Sequence, residues 1–206
     1  MSYPQRVRER ILPLSLASTL PEAFKEWKFT GSTEDYEQPI ETCKLCGQEG
    51  LRYHSEITNE IFDSRLDVGS ECILRFQVPI FDGGIELSPA EARRALNEHM
   101  RRMRLESCLR ALERLAATEK NDILTNALKY YQTNKSLTPK FANVVFWRLQ
   151  ANRIDHDPSF FKVRLDQEKY RNDLKNMQHR DVVRIWKALM PSQRNKATDL
   201  GQRPPA

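Results

Sequence analysis

The stretch Cys43-Lys44-Leu45-Cys46-Gly47, answered by Val68-Gly69-Ser70-Glu71-Cys72, decides how the first half of this 206-residue chain folds. Two cysteines at CxxC spacing can offer their thiolates to one ion from a single tight turn. A third cysteine, carried back by the intervening chain, adds a third soft donor. Three sulfurs leave a tetrahedral zinc ion one ligand short. The only histidine between the cysteines is His54, in Leu51-Arg52-Tyr53-His54-Ser55-Glu56-Ile57, and it is the natural fourth donor. An aspartate, a water or a partner residue would also fill that position. The expected metal set is Cys43, Cys46, His54 and Cys72, with zinc as the cofactor and iron as the other metal such ligands accept. A closed set of four is structural, so its loss should unfold the module rather than remove a chemical step.

Between the ligands, Leu51, Tyr53, Ser55 and Ile57 alternate with Arg52, His54, Glu56 and Thr58, the period of a strand, with His54 off the more apolar face. Leu66 and Val68 fall on a returning strand, and Asn59-Glu60-Ile61-Phe62-Asp63-Ser64 forms the hairpin connection. Gly69 and a cysteine then open a helical turn. The segments Cys43 to Gly47, Leu51 to His54 and Val68 to Ile73 together resemble the treble-clef-type knuckle of small proteins from bacteria, their phages and mobile elements. The resemblance covers about 30 residues. It implies zinc on Cys43, Cys46 and Cys72, and an origin in a phage or mobile element.

Outward from this module, Ser18-Thr19-Leu20-Pro21-Glu22 starts a short helix anchored by Phe24 and Trp27, and residues 29 to 41, acidic and broken by Gly31 and Pro39, read as an extended lead. The character changes after Gly83-Gly84. Ser88-Pro89-Ala90-Glu91 combines an N-cap serine, a proline at N1 and a glutamate at N3, and opens a helix reaching about Ala117. Further helices are expected at about 121 to 132, 138 to 151, 166 to 176, 180 to 189 and 191 to 200, with Trp147 and Trp186 in the core. The fold class is α+β, mainly α. Residues 1–40 form an N-terminal helix and acidic lead, 41–85 the zinc-binding hairpin module, and 88–206 a basic helical domain.

No apolar stretch approaches the roughly 18 to 20 residues of a membrane helix, and the N-terminus lacks the apolar core of a secretory signal, so a cytoplasmic protein with no membrane partner is expected. In that setting clustered cysteines fit metal better than disulfides, while Cys108, alone on a helix, reads as a buried thiol. The net charge of +5 is unevenly spread. From Lys140 to the C-terminus 14 Lys and Arg face 7 Asp and Glu, which leaves residues 1–139 at −2. A basic helical region attracts phosphate backbones through a field independent of sequence. The residues expected to contact nucleic acid, DNA or RNA, are Arg93, Arg94, Arg101 and Arg102 on the long helix, then Lys140, Arg148, Arg184, Lys187, Arg194 and Lys196.

Catalytic signatures are sparse. A nuclease of the HNH type also joins a knuckle, a hairpin and a helix, but it needs a second histidine or asparagine soon after the third cysteine, and here the next histidine is His99. His99, His156 and His179 stand singly, and the chain has neither a glycine-rich phosphate loop nor a nucleophile elbow. The expected function is that of a non-enzymatic zinc-binding protein that binds nucleic acid through basic helices. The alternative is a protein-interaction module, an adaptor or inhibitor presenting the hairpin or the acidic 34–41 segment to a host protein.

Overall fold

The computed structural model describes residues 3–205, with side chains from Gln5 onward. It is 55% helical with a small antiparallel sheet, the α+β, mainly α class expected. The chain divides into two compact units, Met1–Met103 and Arg104–Ala206.

The first unit starts with α1 (Tyr3–Ile11) and α2 (Leu20–Ala23), each running on into a 3-10 turn. Pro21 opens α2, and Phe24 and Trp27 are buried beside Val7 and Ile11, as their spacing implied. Next comes a three-stranded antiparallel sheet in the order β1 (Lys28–Asp35), β2 (Tyr53–Asn59), β3 (Ser64–Val68). The β2–β3 hairpin lies where the alternation put it, and Asn59 closes its turn by accepting the Ile61 N–H at 2.9 Å. β1 departs from expectation, because the acidic lead pairs with β2 over Lys28↔Thr58 to Asp35↔Tyr53 and absorbs Gly31 in a bulge between Phe29 and Thr33. A bulge breaks the period of two, which is why this strand cannot be read from its residues.

Helix α3 (Ser70–Arg75) follows β3 directly, and the two-residue strands β4 (Phe81–Asp82) and β5 (Ile85–Glu86) pair across Gly83-Gly84. Both glycines sit at positive φ, 56° and 85°, the requirement of a tight hairpin turn. Helix α4 (Pro89–Glu119) begins at the expected Ser88-Pro89, where the Ser88 N–H and Oγ–H both donate to the Glu91 carboxylate, at 3.0 and 2.5 Å, the carboxylate half of a capping box. The division at Met103 falls inside α4 rather than at the composition change after Gly83-Gly84, since Leu96 is buried in the core of the first unit.

The second unit holds the rest of α4, then α5 (Asp122–Asn134), α6 (Pro139–Ala151), α7 (Glu168–Lys175), α8 (His179–Ile185) and α9 (Pro191–Asp199). All five start within two residues of their expected positions. Asn121 caps α5 by accepting the Leu124 N–H at 3.0 Å, and Thr138 caps α6 by accepting that of Phe141 at 3.2 Å. Their apolar stripes meet in one cluster around Leu112, Leu124, Phe146, Leu149, Phe161 and Ile185. Trp147 does not join it. Phe146 fills the core and Trp147 is 46% exposed, because consecutive helical residues point about 100° apart. Trp186 is half-buried against the same core, and Cys108 is buried as expected, its thiol donating to the Asp155 carbonyl.

Candidate metal centre

The knuckle is a tight turn of backbone hydrogen bonds. The Gly47 N–H donates to the Cys43 carbonyl at 2.8 Å, and the Cys43 N–H to that of Gln48 at 2.9 Å. Glu41 and Leu51 exchange two hydrogen bonds of 2.9 Å just outside it, and the Lys44 N–H ties it to the Asp67 carbonyl of β3. Gly47 adopts φ 77°, and a Cβ there would lie 1.6 Å from Arg6 Nη1, so the glycine leaves room for the Arg6 guanidinium, which donates to the Cys46 carbonyl at 3.3 Å.

β3 then runs straight into α3, whose N-cap is Gly69, and Cys72 at the third helical position turns back toward the knuckle. The result is three buried thiols, Cys43, Cys46 and Cys72, whose sulfurs all lie within 4.8 Å of one another. Among the described residues this is the one group of three or more ligating side chains placed to hold a metal. No cysteine is engaged in a disulfide. Cys43 Sγ and Cys72 Sγ are 3.8 Å apart, and the Gly69 N–H points at Cys43 Sγ from 3.4 Å.

The electrostatics fit a cation. The Cys72 thiol donating to Cys43 lowers the Cys43 pKa below the ordinary thiol value; burial opposes this, and the N–H groups of Cys46, Gly69 and Leu45 reinforce it. Cys72 is pushed up for the complementary reasons: its hydrogen bond to Cys43, burial, and the negative charge beside it. One buried thiolate forms readily and a second is resisted without a positive ion between them. A divalent metal removes that resistance and displaces the remaining proton, so metal should bind more tightly as pH rises. Three thiolates suit a soft, tetrahedral ion, which takes four ligands in all.

His54 stands apart. Its ring nitrogens are not among the ligand atoms that lie within 4.8 Å of one another. Strand alternation places Ser55, Ile57 and Asn59 on the buried face of β2 and His54 on the other, opposite Glu34 of β1. There the imidazole is 3% exposed, edge-on to the Tyr36 ring at 5.3 Å, and its Nε2 lacks a hydrogen-bond partner. The surroundings are acidic. Tyr36 donates to Glu34 at 3.0 Å, and that bond, burial and the charges of Glu34, Glu41 and Asp67 raise its pKa to about 12.

The basic residues expected at a nucleic-acid surface fall into two groups. Several are bound within the fold. Lys140 meets Asp173 at 2.7 Å, Arg148 meets Glu119 at 3.0 Å while lying over the Trp147 ring, and Arg184 bonds Asp181 at 2.9 Å and the Asn143 amide. Arg194 donates to the Trp186 and Lys187 carbonyls, Arg102 lies 3.0 Å from His99 Nδ1, and Arg101 is 3.8 Å from Glu98. Arg93, Arg94, Lys187 and Lys196 project as exposed side chains. By whole units the segregation is sharper than the sequence thirds implied. Arg104–Ala206 carries 20 Lys and Arg against 11 Asp and Glu, a net of +9, and leaves −4 for Met1–Met103.

Among the described residues, no helix is long and apolar enough to cross a membrane. Comparison with protein families, with curated proteins and with solved structures finds no match to this chain.

Proposed function

We propose that the protein is a zinc-stapled nucleic-acid-binding protein: Cys43, Cys46 and Cys72 hold the ion that fixes the first unit, and the basic helical unit supplies the attraction to phosphate. The observation that carries the metal reading is the convergence of three buried free thiols from two separated segments. The observation that favours nucleic acid is the net +9 of the helical unit, which remains whatever the internal ion pairs do, because pairing redistributes charge without cancelling the excess. Contacts of this kind position a strand without reading its sequence.

Fluorescence anisotropy of the metal-loaded protein against labelled single-stranded DNA, duplex DNA and RNA over a salt series tests it. Binding is expected, with log affinity falling linearly in log salt by about 0.7 to 0.9 per phosphate engaged. Charge reversal of Lys187 and Lys196 should weaken binding and flatten that slope by about one for each phosphate no longer engaged. Absence of binding to all three at low salt would overturn it.

A second reading is favoured by the apolar tip of the β2–β3 hairpin. Ile61 and Phe62 are 57% and 41% exposed there, on the acidic unit. Such a tip suits docking to a protein partner. It would give a complex that survives nuclease and moderate salt, whereas nucleic-acid complexes fail under both.

A further inference from the structure

We propose that Trp147, on the outer face of α6, is a stacking platform for an unpaired base, so that the basic helical unit takes up single strands by a contact that a duplex cannot make. Helix α6 buries Phe146 and turns the next ring, Trp147, to solvent. Among the described residues it is the largest apolar side chain left exposed. An indole facing water forgoes the burial that Phe146 obtains one residue away, and a flat ring is the surface on which a base stacks.

The ring is held in place. Tyr130 near the end of α5 meets Phe141 near the start of α6, with ring centroids 5.5 Å apart, and Glu119, just ahead of α5, meets Arg148 near the end of α6 at 3.0 Å. The two helices therefore run antiparallel, and the ion pair fixes Arg148. Its guanidinium carbon lies 4.5 Å from the centroid of a Trp147 ring. A cation thus backs the indole on one side, and the exposed remainder is open to a second π-system.

The surroundings favour a base over an apolar protein surface. The side chains that share the outward stripe of α6 with Trp147 are Lys140, Asn143 and Gln150, and all three are polar. Ile123 is also exposed at this end of the α5–α6 pair. Two apolar side chains set among polar ones fall short of the contiguous patch, larger than roughly a few hundred Å², that marks a protein interface. Charge points the same way. Lys140, Arg148 and Arg184, which bonds Asn143 one turn before the ring, each meet a carboxylate, so the pull on phosphate comes from the unit's net +9 rather than from a local cluster. The ring adds what that field lacks, because the base faces of a duplex are already stacked on one another. This proposal rests on the nucleic-acid reading of the basic unit and narrows it to unpaired bases.

The test uses the full metal-loaded chain and three labelled probes of one length: an oligothymidylate, an oligouridylate and a DNA duplex. Trp147→Leu should weaken binding of the single strands about fivefold or more, since one base stack is removed, while duplex affinity and the salt slope stay at their wild-type values, since no phosphate contact is lost. Trp147→Phe keeps a ring and should retain most of the affinity. With 5-bromodeoxyuridine in the oligothymidylate, ultraviolet crosslinks are expected on the tryptic peptide Phe141–Arg148, where Trp147 is the single tryptophan. Wild-type single-strand affinity in Trp147→Leu, or an equal loss on the duplex, would overturn the platform and leave the general reading standing. A wild type that binds none of the three probes would overturn both.

Discussion

The two units solve the problem of a small core in different ways. From Arg104 onward, five helices and the end of α4 close a cluster mainly of leucine, phenylalanine, valine and isoleucine side chains with the single thiol of Cys108, and the buried Ser136, Thr138 and Gln202 beside it bond to backbone groups. In Met1–Met103 the core itself contains three thiols, and its sheet has one five-residue and two longer strands with short helices around them. A core of apolar side chains holds through its own packing, whereas three thiols within 4.8 Å of one another would gain cohesion from an ion bound to all of them. The difference predicts one unit that depends on metal and one that does not.

Removing a ligand should give the largest contrast. Cys72→Ser is expected to lose metal stoichiometry and unfold the first unit, because the binding energy of a structural zinc site, about 10 to 16 kcal/mol in small modules, is folding energy. Near-ultraviolet circular dichroism of Trp27 against the tryptophans at 147 and 186 would report it. A Cys72→Ser protein with intact β1–β3 would break the comparison from the metal side.

Phe146→Ala breaks it from the other side. A fully buried ring removed from the helical core should cost about 3 to 5 kcal/mol of that unit's stability in denaturant, with zinc content unchanged. A stability loss that instead tracked metal concentration would contradict the division of roles.

His54→Leu sharpens the metal unit. An imidazole buried with Nε2 unbonded carries a desolvation cost, so an apolar replacement should keep metal stoichiometry and leave stability equal or higher by about 1 kcal/mol. Loss of stoichiometry in that variant would make His54 the fourth ligand. The smallest effect belongs to Thr138→Ala, which removes the α6 cap and should cost about 1 kcal/mol in the helical unit alone.

How much is legible in the sequence follows the range of each interaction. Caps are local, so Ser88 to Glu91 and Thr138-Pro139 mark the starts of α4 and α6, and the CxxC pair with Cys72 locates the thiol cluster without any knowledge of the fold. β1 is hidden because its pairing depends on β2, some twenty residues away, and a bulge at Gly31 erases its alternation. His54 illustrates the same limit: spacing nominates it, but the parity of β2 turns its ring to the face opposite Ile57. Trp147 and Phe146 differ by one turn angle on a helix that is apolar over a wide arc, so the sequence does not say which of the two enters the core.

The most direct measurement is hydrogen exchange by mass spectrometry on the full chain, before and after removal of metal by a strong chelator. Protection in β1 to β3 and α3 is expected to collapse on chelation, while that of α5, α6 and α8 persists. Unchanged protection of the sheet after complete metal removal would contradict the metal staple, and simultaneous loss in both units would contradict their separate sources of stability.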